Sequence, residues 1–170
     1  MAQPQFAFVF SSASQFVPVT TSGQLCTPDM VMLSDGDGDV TFTGPASPGS
    51  PIMLPPPGGK GQPRSMTLLQ SATAAITVKK GKSPTFSFWA CDVSGNYQAY
   101  ALAGVALQNT QQGGNGFGQF PKVVIDIESS ATVLQLSDNN KDSNPYEFYV
   151  LVQNSAGQLG LIDPRIVNQN

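Results

Sequence analysis

Residues 85–93 read TFSFWACDV, and the alternation in this stretch decides the fold class. Side chains alternate sides along a strand. Phe86, Phe88 and Ala90 therefore fall on one face, and Ser87, Trp89 and Cys91 on the other. Both faces carry large apolar groups. Such a strand is central in its sheet and covered on both sides, or its second face meets a partner.

The neighbouring segments extend the same pattern. Residues 74–78 (AAITV) read as a strand, joined to 85–93 by a charged hairpin turn with Lys79, Lys80 and Lys82. Upstream, 6–10 (FAFVF) is a first strand, and 15–21 (QFVPVTT) is a second that Pro18 confines to an edge or bulge. Residues 29–33 and 40–43 flank 34–39 (SDGDGD), and Asp-Gly pairs between apolar runs predict a hairpin. Downstream, 97–107 is extended and 108–120 is a Gly- and amide-rich loop. A hairpin of 122–127 and 132–136 turns at Ser129–Ser130, 147–153 is the last full strand, and a closing strand lies within 159–167. In the last full strand Tyr146, Phe148, Val150 and Val152 share a face opposite Glu147, Tyr149, Leu151 and Gln153. Residues 65–69 form a short strand, although 65–75 is also the best helical candidate.

Residues 44–63 hold seven of the 14 prolines and several glycines, which predicts a long surface loop. The part before it is too short to be a core of its own. The expectation is one all-β domain over residues 1–170, a single antiparallel β-sandwich of immunoglobulin- or cupredoxin-like general shape.

Composition bounds the function. Charged residues make up 11% of the 170, against a usual share of roughly 25%. Charge keeps monomers apart and blunts sheet edges, so a weakly charged, amide-rich surface favours association with copies of itself. A net charge of −3, with basic residues spread thinly, argues against nucleic acid. No apolar stretch is long enough for a membrane span. The start has no basic region ahead of a signal-like apolar segment, which predicts a cytoplasmic protein with Cys26 and Cys91 as buried thiols. A chain that had lost its leader would be secreted or surface-bound, and the two cysteines could then be bridged.

Histidine is absent. That removes the usual general base near neutral pH, the Ser–His–Asp and Cys–His nucleophiles, the common zinc sites and blue copper. Carboxylates remain. Asp126 and Glu128 share a strand face, as a carboxylate hydrolase would need, but they read as a solvated face with Val123, Ile125 and Ile127 toward the core. Asp35, Asp37 and Asp39 alternate in a Gly-rich turn and could converge on calcium, although the EF-hand spacing fails. Asp138, Asn140 and Asp142 are a second such set. Trp89, Tyr97 and Tyr100 lie close in sequence and could form a stacking platform for a sugar or other ligand.

Two resemblances add to this. Residues 76–88 (ITVKKGKSPTFSF) resemble the strand–Lys-Gly–strand passage of cupredoxin-like sandwiches, without their copper ligands. Residues 144–168 (NPYEFYVLVQNSAGQLGLIDPRIVN) pair an aromatic strand with Asp163–Pro164–Arg165–Ile166. This is similar to the closing strands of small bacterial β-sandwich proteins of the AidA-like inclusion-body and DP-EP groups. The likeness implies a cytoplasmic bacterial sandwich, some relatives of which accumulate as ordered inclusions, and it carries no catalytic residues across. Together these observations predict a non-enzymatic structural protein whose partner is itself, as a homo-oligomer or larger assembly. The alternative is a ligand- or carbohydrate-binding module assisted by calcium.

Overall fold

A computed structural model of the protein describes residues 2–20 and 23–170. Fourteen strands follow one another among them: β1 (Pro4–Phe10), β2 (Asp29–Asp35), β3 (Val40–Thr43), β4 (Ile52–Leu54), β5 (Arg64–Met66), β6 (Leu69–Gln70), β7 (Ala75–Val78), β8 (Thr85–Asp92), β9 (Tyr100–Asn109), β10 (Lys122–Glu128), β11 (Ala131–Ser137), β12 (Pro145–Asn154), β13 (Leu159–Ile162) and β14 (Arg165–Asn168). Among the described residues the helical elements are confined to one 3-10 turn, Ala13–Gln15. No helix is long and apolar enough to cross a membrane among the described residues.

The strands form a sandwich. The first sheet runs β10-β11-β8-β1-β2-β6. The second runs β13-β12-β14-β7-β3, with β9 paired to β12 as well. The core between them is aromatic. Phe6, Phe8, Phe86 and Phe88 of the first sheet pack against Tyr146, Phe148, Val150 and Ile166 of the second, with Phe88 and Phe148 5.2 Å apart at their ring centroids. The alternation read from residues 85–93 and 146–153 holds: Phe86, Phe88 and Ala90 face this core, as do Tyr146, Phe148, Val150 and Val152.

Several expectations need correction. The sandwich is not purely antiparallel, because β1 pairs parallel to β8 and β14 parallel to β7. The turns at 34–39 and 79–84 are not hairpins. The strands β2 and β8 lie in the first sheet, whereas β3 and β7 lie in the second, so both turns carry the chain across the sandwich. Period-2 patterning reports which face is buried, and not which strand is the neighbour. A turn flanked by two apolar strands can return to its own sheet or cross the roughly 10 Å to the other. Crossing strands then find distant partners, and some of those run parallel. The expected strand at 15–20 is instead the 3-10 turn followed by an irregular run past Pro18, with Val19 N–H donating to the Leu159 carbonyl; Thr21 lies outside the described residues. The helical candidate at 65–75 is not helical: it holds most of β5, all of β6 and a turn at 71–73.

The proline-rich segment is the largest departure from the sequence reading. It folds back as a two-stranded β4–β5 hairpin over the outer face of the first sheet. Its Leu54, with Met66 and Leu68 just after the segment, forms a second core with Ala7, Val9, Val31, Leu33, Trp89, Cys91, Tyr97 and Val133. The second apolar face of β8 is thus covered by the chain itself. Two polar pins hold the cover, one from the Tyr97 hydroxyl to the Pro55 carbonyl at 2.7 Å and one from Arg64 to the Leu33 carbonyl at 2.8 Å. A Cβ at Gly95, whose φ is +79°, would collide with the Pro55 ring.

Candidate functional site

The residues singled out for metal binding do not converge. Gly36, Asp37 and Gly38 all take positive φ, which splays the turn. Asp35 Oδ1 accepts from Gly38 N–H at 3.1 Å, Asp37 Oδ2 accepts from Ala2 N–H at 3.2 Å, and Asp39 pairs with Lys82 at 2.9 Å. Among the described residues no group of three or more Cys, Asp or Glu side chains gathers as metal ligands. In the second set, Asp138 and Asn140 do meet, but Asp142 turns away to accept from the Tyr146 hydroxyl at 2.6 Å and from Asn144.

The aromatic platform is also not assembled. Tyr100 stacks on Phe10 at 4.2 Å in the main core. Trp89 and Tyr97 lie under the proline-rich cover, on the far side of the first sheet. The physical reason is again a crossing, since residues 93–99 take the chain from β8 to β9 in the other sheet. Trp89 and Tyr97 do line two small adjoining clefts that share Gly58 and Ser129. The Trp89 indole N–H is buried and has no acceptor.

Cys26 and Cys91 are unbridged and buried in different cores. Burial pushes the Cys91 thiol up to about 12, so it is neutral and unreactive while covered. The polar cleft of about 380 Å³ beside the 3-10 turn, which sequence reasoning did not anticipate, has the buried Asp29 in its wall. That carboxylate accepts from Ser11, Gln15 and Ser47, so it fastens three segments together.

The surface that stands apart is the free edge of the first sheet. Among the described residues β10 pairs only with β11, in register from Lys122↔Ser137 to Glu128↔Ala131. Ser129 and Ser130, both at positive φ, make the two-residue turn between them. In such a hairpin the residues flanking the turn are hydrogen-bonded to each other. Glu128, Asp126 and Val124 therefore direct their backbone groups at β11, and Ile127, Ile125 and Val123 direct theirs off the edge. Ile125 and Ile127 were expected in the core, but they are 40% and 69% exposed because the strand overhangs it. Only Val123 packs against the core. Asp126 Oδ1 accepts from Ile127 N–H at 2.8 Å, so one of the outward donors is capped by its neighbour's side chain.

A second exposed apolar surface lies on the outer face of the second sheet. Gly104, Val105, Ala106, Tyr149, Leu151 and Leu161 line a shallow groove of about 450 Å³. Tyr149 donates to Glu147 at 3.1 Å, and Glu147 pairs with Arg165 at 3.4 Å, so the charges gather at one end of the groove. Compared with known proteins, the chain matches no family model and no curated protein sequence.

Proposed function

We propose that the protein is a non-enzymatic structural protein that associates with copies of itself, and that β10 is the strand through which two copies first pair. The observation that carries this reading is the self-complementarity of β10, KVVIDIE. Antiparallel pairing with a second β10 about a two-fold axis at Ile125 sets Lys122 against Glu128, Val123 against Ile127, Val124 against Asp126, and Ile125 against itself. Every outward backbone group finds a partner, and opposite charges fall at both ends. The contact is isologous, as most homodimer contacts are. Asp126 has to release Ile127 N–H first, which tempers the pairing. Low overall charge, the absence of histidine and the C-terminal likeness to inclusion-forming sandwiches support the same reading. A two-fold contact alone stops at a dimer. Growth into a larger assembly needs a second self-contact, for which the groove around Tyr149 and Leu151 is the apolar surface at hand.

The test is light scattering on a sizing column across a concentration series. The wild type is expected to dimerise and grow. Glu128→Lys sets like charges against each other twice and is expected to raise the dimer dissociation constant about tenfold. The double swap Lys122→Glu/Glu128→Lys is expected to restore it. A wild type that stays monomeric at high concentration overturns the proposal, and so does a double swap that fails to recover association. The monomer outcome would favour a ligand-binding module, for which the unpartnered Trp89 indole N–H beside Lys60 and Glu128 is the supporting feature.

A further inference from the structure

Three residues tied together by hydrogen bonds to Asp138 Oδ1, where the loop after β11 closes on β14, each keep a buried oxygen without a donor. Asp138 is 2% exposed. Its Oδ1 accepts three hydrogen bonds, from Asn140 N–H at 2.7 Å, Gln119 Nε2 at 2.9 Å and Asn168 Nδ2 at 3.2 Å. Its Oδ2 is buried and receives none from the protein. The side-chain oxygens of Asn140 and Asn168, residues that are 6% and 2% exposed, are likewise buried without a donor.

The network fixes which amide atom is the oxygen. Asn140 Nδ2 donates to two carbonyls, those of Lys79 at 2.9 Å and Gln169 at 3.1 Å. Turning that amide over would set oxygen against two oxygens. Turning Asn168 would set its oxygen against Asp138 Oδ1. The three unpartnered atoms are therefore all acceptors, and one belongs to a carboxylate. Among the described residues no Lys or Arg pairs with Asp138, and the charge that acts on it is the negative Asp142.

A single water can donate two hydrogen bonds, which leaves one of the three oxygens unmet and does nothing for the charge, which burial disfavours enough to push the Asp138 carboxyl above its usual range. An anion is repelled. A cation that prefers hard oxygen satisfies all three oxygens and the charge together. We propose that Asp138 Oδ2, Asn140 Oδ1 and Asn168 Oδ1 form a cation site, with calcium the ion it suits best. Calcium takes about six to eight oxygens in a tolerant geometry and accepts carboxylate and amide oxygens alike, whereas magnesium demands a near-ideal octahedron. The bound ion would clamp four places in the fold: the loop after β11, β14, the exit of β7 at Lys79 and the end of the Gly-rich loop at Gln119. This is a different set from the Asp-Gly turn, and it takes Asn168, a residue 26 positions after Asp142, in place of Asp142.

The experiment is thermal unfolding of the full chain, stripped with chelator and then measured in chelator, calcium, magnesium or sodium. Calcium is expected to raise Tm. Asp138→Asn, which keeps the shape and removes the charge, is expected to abolish the shift. Asn168→Asp adds a second carboxylate and is expected to enlarge it. Asp37→Ala is expected to leave it unchanged. No calcium response in the wild type overturns the site. So does a response that survives Asp138→Asn, and so does one lost in Asp37→Ala. A merely structural amide network also overturns it, and is recognised by Asn168→Asp lowering Tm equally with and without calcium.

Discussion

The two sheets of this sandwich treat their outer faces in opposite ways. The first sheet carries Trp89, Cys91, Val9 and Leu33 outward and covers them with its own proline-rich hairpin. The second carries Tyr149, Leu151 and Leu161 outward and leaves them half-exposed. The difference teaches where association can begin. An apolar face that the chain covers for itself is core, and is unavailable to a partner. An apolar face or edge that it leaves open is where the proposed association with a second copy has room to form.

The strongest way to break the comparison is to lift the cover. Leu54 is fully buried beneath it, and Leu54→Ala is expected to cost about 2–5 kcal/mol in urea unfolding. The same variant should speed labelling of Cys91 by a thiol reagent at alkaline pH and leave Cys26, in the other core, nearly as protected as before. Equal acceleration at both cysteines would mean the cover does not open separately from the fold. A matched pair of glycines sharpens the contrast. Gly95→Ala forces the Pro55 ring away and holds alanine at positive φ, so a loss of about 1–3 kcal/mol is expected. Gly104→Ala on the open face meets only Leu151, at 3.7 Å, and should be neutral or gain about 0.5 kcal/mol. Equal effects at the two positions would erase the distinction between the faces.

A modest effect, read through pH, is expected at Asp163. Burial first, then repulsion from Glu147, push its carboxyl above the usual range, against a downward pull from Arg165. The folded state therefore holds this proton more tightly than the unfolded state does. Its contribution to stability is greatest at acid pH and declines as pH rises from the ordinary carboxylate range through the raised value. Asp163→Asn is expected to flatten that decline and raise Tm at pH 7 by about 2 °C. A Tm profile unchanged between pH 4 and 7 would show that Arg165 already balances the charge.

The sequence was legible where burial alone writes the pattern. Phe86, Phe88, Ala90 and the Tyr146–Val152 face sit where their alternation puts them, and Ser129–Ser130 is a true two-residue turn. Connectivity was not legible. Nothing in residues 34–39 or 79–84 says whether the next strand returns or crosses. Prolines at 45–63 signal irregular backbone, while Leu54 within that stretch and Met66 and Leu68 after it, which together make the cover, are too widely spaced to announce it. The aromatic platform does not assemble for the same reason. Trp89 and Tyr100 are eleven residues apart in sequence, yet they stand on opposite faces of the first sheet. Asn168 was invisible as a partner of Asp138 because the two meet only once β14 has docked between β7 and β12.

That parallel pairing also sets an order of events. In the second sheet, β3 and β7 connect to β9, β12 and β13 only through β14. Four residues, Arg165–Asn168, are the seam between two otherwise separate ribbons. Each of these residues pairs with one roughly ninety positions earlier in the chain. Contacts so distant form late and slowly. On a ribosome, the β3–β7 ribbon can lean on β1 through Phe42 and Phe6, but its β7 edge stays unjoined until the seam emerges. The interval between synthesis of residue 78 and residue 168 is therefore the period in which this protein is most exposed to mispairing.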